Sequence, residues 1–150
     1  MTALILPELV IEATPTFVIA SAIATRDFQD VHHDRDRAVQ RGSQDIFLNI
    51  LTTTGLVQRF VTDWAGPQAV VRKVAIRLGA PCYAGDTLTF TGQAEPAGPA
   101  DPAAGAGGIE YLVRVTGRCS LGDHVTGTVR VLIPLIPGSP GSPLIPGSPA

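Results

Sequence analysis

Basic charge is scarce in this chain. Eleven Lys and Arg against thirteen Asp and Glu leave a formal net charge of -2 and an isoelectric point near 5.8, and no run of cations interleaves with aromatics. A phosphate backbone finds no field to hold it, which argues against nucleic acid as a partner. Cysteine is scarcer still. Cys82 and Cys119 stand apart, without C-x-x-C spacing, and point to two buried thiols in a reducing compartment rather than to a zinc site or a disulfide framework. Aromatics supply 5% of the residues and charged side chains 16%, so neither base stacking nor a highly charged surface is indicated. No apolar run reaches the ~20 residues a membrane-spanning helix needs. The opening MTALILPELVIEA has no Lys or Arg, is broken at Pro7 and turns acidic at Glu8, so it does not read as a signal peptide. A soluble cytoplasmic protein is expected, and 150 residues suffice for one domain with one core.

What the chain does have is proline and glycine in blocks, and apolar runs between them. LPELVIEAT suggests a turn or two of helix that Pro15 stops, and Thr16 to Ala24, rich in β-branched and small residues, reads as a buried strand. An acidic loop follows, with a helical turn over Asp34 to Arg41 ended by Gly42. Ser43 to Ala65 carries apolar residues at helical spacing, with Ser43 as N-cap, Asp45 in the first turn and Gly66-Pro67 as the stop. Its mild second face, Thr52, Thr53, Thr54 and Gly55, predicts a helix buried nearly all round. Four alternating runs come next: Val70 to Leu78 (Arg72 breaking the apolar face of Val70, Val74, Ile76 and Leu78), Thr87 to Ala94, Ile109 to Arg118 and His124 to Ile133. Half-buried consecutive strands imply an antiparallel sheet.

The segment Glu95 to Gly108, EPAGPADPAAGAGG, reads as a flexible hairpin connection. The end of the chain, in which LIPGSP occurs twice, is low-complexity. A folded domain over residues 1–133 and a disordered tail over 134–150 are therefore expected. The fold class is α+β: a five-stranded antiparallel sheet wrapped around one long helix. Such a sheet leaves one helix flank uncovered, which predicts pairing with a second copy or a similar domain.

The chemistry concentrates between Ala24 and Ala38, in ATRDFQDVHHDRDRA, which holds two of the three histidines. Asp27 and His32 stand five apart, in the pattern D-x-x-x-x-H, a spacing that fits a solvated polar loop as well as a site; their place beside an apolar helix is what favours a site. Asp34 suits the N-cap of the turn after it. Adjacent His32 and His33 on an extended loop point apart, so no metal site is expected. Arg26, Arg35 and Arg37 are candidates for phosphate contacts, with solvation of the loop as the plainer role. His124 reads as structural.

The order Asp27-Phe28-Gln29-Asp30-Val31-His32-His33-Asp34, with Ala38, resembles the motif D-F-N-P-I-H-x-D-x-x-x-A of the MaoC-like, R-specific enoyl-CoA hydratases of the hotdog fold, with Gln29 and Asp30 departing from its Asn-Pro pair. RLGAPCYAGDTLTFTGQA, residues 77–94, extends the likeness. The segments TRDFQDVHHDRDRAVQRG, NILTTTGLVQRFVTDWAGP and TGRCSLGDHVTGTV are similar, more narrowly, to small subunits of actinobacterial heteromeric hydratases that act on steroid side-chain CoA thioesters.

The resemblance implies syn addition of water to a trans-2-enoyl-CoA. Asp27 would be the general base, with His32 orienting the water, and a backbone N–H at the start of the central helix would hold the thioester oxyanion. Placing Thr54-Gly55 on the family's Ser-Gly puts that N–H at Ile46 and gives Thr54 a supporting hydroxyl for Asp27. No cofactor is implied, CoA being part of the substrate, and a second MaoC-like subunit or a homodimer is the expected partner. Two alternatives remain: a hotdog acyl-CoA thioesterase, disfavoured because Asn49 and Thr52 to Thr54 fill the helix where its carboxylate belongs, and a non-catalytic partner subunit, which would have no use for Asp27 and His32.

Overall fold

Leu9, Ile11 and Ala13 turn inward while Val10 and Glu12 face out, the period of two that a half-buried strand requires. In the computed structural model, which describes residues 3–99 and 107–135, this stretch is strand β2 (Leu9–Ala13), not the expected helical turn. It continues a short β1 (Leu4–Ile5), and both pair with the same neighbour. Pro7, which cannot donate to a ladder, falls in the gap between them, where the register slips by one residue.

The next element also departs from expectation. Pro15–Ala24 is helix α1, not a strand. Thr14 caps it by accepting the Phe17 N–H at 3.1 Å, and Pro15 occupies the first turn, where a missing N–H costs nothing. The proline is thus a start signal rather than a stop. Val18 and Ala22, four apart, are its buried pair.

A 3₁₀ turn (Asp30–His32) and a short helix α2 (Arg35–Gln40) lead to an extended segment and then to α3 (Ile50–Ala65). The long helix therefore begins seven residues after Ser43, and its N-cap is Asn49. Nor is it buried all round. Thr53, Val57, Phe60, Val61 and Trp64 face the sheet, while Arg59 and Asp63, 3.4 Å apart, lie on the outer face.

Strands β3 (Val70–Leu78), β4 (Asp86–Pro99), β5 (Gly108–Cys119) and β6 (Gly122–Pro134) complete an antiparallel sheet in the order β1-β4-β5-β6-β3, with β2 also on β4. Among the described residues there are six strands against the five expected: the expected strand over Thr16 to Ala24 is helix α1, and β1 and β2 take its place as a split edge. The proposed flexible connection is partly strand: Glu95–Pro99 pairs with β5, and residues 100–106 lie outside the described chain. The tail beyond Leu135 also lies outside it.

The Arg72 anomaly is a bulge between Val71 and Lys73. It resets the alternation, so that Val71, Val74 and Ile76 pack inward and Val70 is exposed; Leu78, in phase with Val74 and Ile76, is exposed at the end of the strand.

Helix and sheet meet on Phe60, which stacks on Phe90 with ring centroids 5.9 Å apart. Gly92 permits the approach, since a Cβ there would stand 2.8 Å from the Phe60 ring. The core also holds a polar tie between helix and sheet. The buried His124 ring donates from Nδ1 to the Ala80 carbonyl at 2.8 Å and accepts the Thr53 hydroxyl at Nε2, also at 2.8 Å.

Burial pushes the His124 pKa below its ordinary 6.5, outweighing the Ala80 hydrogen bond, which acts upward. The unfolded chain consequently binds this proton first as pH drops. The contribution to stability is complete above pH 6.5 and is lost as pH falls through the folded midpoint, with a slope of at most ~1.4 kcal/mol per pH unit. The melting temperature is expected to fall from pH 7 to pH 5, and calorimetry of His124→Asn should show a smaller fall. Cys82 and Cys119 are both free and buried, as expected, and burial pushes the Cys82 thiol up to about 12.

Candidate active site

Helix α1 ends in a way that sets Asp27 in place. Beyond the C-cap Thr25, Arg26 N–H bonds Ile23 O at 3.0 Å and Asp27 N–H bonds Ala22 O at 2.9 Å, the paired bonds of a Schellman motif. Arg26 takes the left-handed position with φ 56°, normally glycine's. Arg26→Gly is expected to raise stability by about 1 kcal/mol in chemical denaturation, because a Cβ is disfavoured in that conformation. Asp27 itself is the last residue of the cap, so its backbone is held before its side chain makes any contact.

His32 is fixed from the other side. Phe47 bridges Tyr83 in an antiparallel pair, flanked by Leu48 N–H to Cys82 O at 3.0 Å and Ala84 N–H to Ile46 O at 2.9 Å. At such a position the residue's own N–H and C=O point away from the partner strand. The Phe47 N–H reaches Val31 O at 3.3 Å, and its carbonyl accepts from His32 Nδ1 at 2.8 Å. The Phe47 ring also meets the imidazole edge-on, with centroids 4.8 Å apart.

A carbonyl only accepts, so Nδ1 carries the hydrogen and Nε2 of the neutral ring is a lone pair. That Nε2 lies 3.5 Å from Asp27 Oδ2, with the two side chains 8% and 16% exposed. Two acceptors facing each other at this distance suit a water that donates one hydrogen to each and turns its oxygen lone pairs toward a third group.

The remaining sequence candidates separate clearly. Asp34 caps α2, accepting the Arg37 N–H at 3.1 Å, as expected. His33 bonds the Phe28 carbonyl at 3.1 Å and is not part of the pair. Arg35 approaches Asp45 at 3.6 Å. Among the described residues no three His, Cys, Asp or Glu side chains are grouped to hold a metal ion, and no helix is long and apolar enough to cross a membrane.

Two placements require correction. Ile46 is not at the helix N-terminus: it precedes α3 in the extended segment, and its N–H donates to Asp45 Oδ1 at 2.8 Å. The first-turn N–H groups, which no intrahelical carbonyl can satisfy, begin at Ile50 instead. Thr54 donates to the Ile50 carbonyl at 2.8 Å, back into its own helix, and not to Asp27.

The residue that does reach Asp27 is Asn49. Its Nδ2 donates to Asp27 Oδ2 at 3.1 Å and to Thr25 Oγ1 at 2.9 Å, and its Oδ1 accepts the Thr52 N–H at 3.0 Å. The preference for Asn at helix N-caps, ahead of ILTTTGL, was the available signal. Ser43 competed with it for that reading.

No family model matches the sequence. The chain is 57% identical over 127 residues to the 3-oxo-4,17-pregnadiene-20-carboxyl-CoA hydratase beta subunit of Mycobacterium tuberculosis, an overlap of 85% of this chain and 92% of that protein. Among solved structures it superposes on a chain of the ChsH1-ChsH2 complex from Mycobacterium tuberculosis with a TM-score of 0.79 at 53% identity, covering 89% of this chain and 98% of that one. An (R)-hydratase from A. caviae involved in PHA biosynthesis shares the fold, with a TM-score of 0.76 at 16% identity over 89% of this chain and 97% of the other. With its antiparallel sheet on one long helix, the chain belongs to the MaoC-like, R-specific enoyl-CoA hydratase family of the hotdog fold.

Proposed function

We propose that this chain is the subunit of a heteromeric hydratase that carries the catalytic pair, and that its substrate is a steroid side-chain trans-2-enoyl-CoA. The observation that carries the reading is the Asp27–His32 pair, two acceptors 3.5 Å apart with the imidazole tautomer set by the Phe47 carbonyl. A bound water donates to both. Asp27 takes a proton as the water oxygen bonds the β-carbon, and the π electrons of the double bond move toward the thioester oxygen. A proton returns from the pair to the α-carbon on the same face, so one water is added in full and Asp27 is regenerated.

The charge that develops on the thioester oxygen needs a donor already in place. The first turn of α3 supplies N–H groups and the positive end of the helix dipole there, directly after Asn49, which touches Asp27. This reading moves the oxyanion site from Ile46 to the N–H groups that begin at Ile50. The steps use water and the thioester alone, with no cofactor.

The substrate class rests on likeness to the pregnadiene-carboxyl-CoA hydratase beta subunit. A second subunit is supported by the ChsH1-ChsH2 likeness and by apolar side chains left open near the pair: Ile23 on α1 and Ile50 and Leu51 on α3 are each about half exposed. Co-purification with a second MaoC-like subunit, followed by loss of enoyl absorbance on short-chain, long-chain and steroid thioesters, tests both parts. Preferred turnover of the steroid thioester by the complex is expected. Preference for a short chain would overturn the substrate, and full activity of a sedimenting monomer would overturn the heteromer.

A further inference from the structure

We propose that Asn49 is a positioning residue for the reaction, holding Asp27 Oδ2 toward His32 and keeping a donor on that oxygen; the inference rests on the hydratase reading. A carboxylate turns easily about its terminal torsion, and two donors restrain this one. The Gln29 N–H holds Oδ1 at 3.3 Å, and Asn49 Nδ2 holds Oδ2 at 3.1 Å. Oδ2 is also the oxygen that faces His32 Nε2. Asn49 therefore acts on the very atom that the proposed mechanism uses as base.

The orientation of the Asn49 amide is settled by its partners. The Thr52 N–H requires an acceptor, and the carboxylate requires a donor, so oxygen and nitrogen cannot be exchanged. Thr25 spends its own hydroxyl hydrogen on the Ser21 and Ala22 carbonyls at 2.8 and 3.1 Å, which leaves its oxygen free to accept from Asn49. Capping α3 needs only the amide oxygen. The two N–H bonds serve something else: they tie the end of α1, the start of α3 and Asp27 to one side chain that is 2% exposed.

Asn49→Asp separates the two roles, because aspartate caps a helix as well as asparagine does but would present an acceptor to Oδ2. In the assembled complex it is expected to lower kcat by ~100-fold through misplacement of the base, with KM changing little. The acidic limb of the kcat profile should move to higher pH, since two adjacent carboxylates resist ionising together, and the melting temperature should be nearly retained. Parental kcat with an unshifted profile would overturn the proposal, whatever the effect on melting. Titration of the His32 ring by NMR provides a readout that does not need turnover. An upward move of its midpoint in Asn49→Asp is expected, and no move would overturn the proposal. Failure of the parental complex to hydrate any enoyl-CoA would instead count against the hydratase reading.

Discussion

Asp27→Asn is expected to reduce turnover by ~10²–10⁴-fold, the span that a positioned general base commonly contributes. The substitution keeps the size of the side chain and, because the Schellman bonds involve only backbone, keeps the residue where it is. What it removes is the proton acceptor. The substituted amide would also have to turn its N–H₂ toward either the Asn49 donor or the Gln29 N–H, so one of the two hydrogen bonds that orient the group is lost. His32→Ala removes the imidazole of the pair, and it also leaves the Phe47 carbonyl without its donor. That carbonyl is partly shielded, so a stability loss of about 1–3 kcal/mol accompanies the loss of turnover in this variant. Single-turnover hydration measured beside thermal melting separates the two effects. Near-parental rates in either variant would remove that residue from the mechanism.

The second large effect is structural. Phe60→Ala is expected to cost about 3–5 kcal/mol, the usual price of deleting a buried aromatic ring, against a total stability of ~5–15 kcal/mol for a domain of this kind. Phe60 is 2% exposed, stacks on Phe90 and fills the space that Gly92 leaves open. The site of the cavity matters, because the ring lies between α3 and β4 and the surrounding backbone is held by ladders on both sides, so it can collapse only in part. Chemical denaturation of the variant checks this. A cost below about 1 kcal/mol would mean that the helix can settle onto the sheet without the ring.

Much of this protein is legible from its residues. Alternation in β3 to β6 gives the sheet, the stop at Gly66 gives the end of α3, and Asp27 and His32 stand out at family spacing. The misreadings share one physical cause, which is that a local signal has two meanings until a distant partner chooses. Pro15 suits either the end of one element or the first turn of the next, and a nine-residue apolar run suits a strand or a helix. Ser43 and Asn49 are both acceptable caps, but residues 46 to 49 are drawn straight by their bridge to Cys82–Ala84. That leaves Asn49 as the residue from which the helix begins. The Arg72 anomaly was visible in sequence, yet the direction of the phase change was not.

The long stretch from Ala24 to Ala38 thus owes the proposed pair, Asp27 and His32, to its residue types, a carboxylate and an imidazole at the spacing of the family motif. Residue types alone also determine the sheet's alternation and the apolar face of the central helix. Only the tertiary structure decides which nitrogen of His32 bears its hydrogen, because that depends on the Phe47 carbonyl fifteen residues away. It alone replaces Thr54 by Asn49 at Asp27, and moves the free N–H groups from Ile46 to the turn beginning at Ile50. Patterning records which face a residue prefers, whereas hydrogen-bond partners are set by where the helix starts, and that is fixed by a strand pairing more than thirty residues downstream.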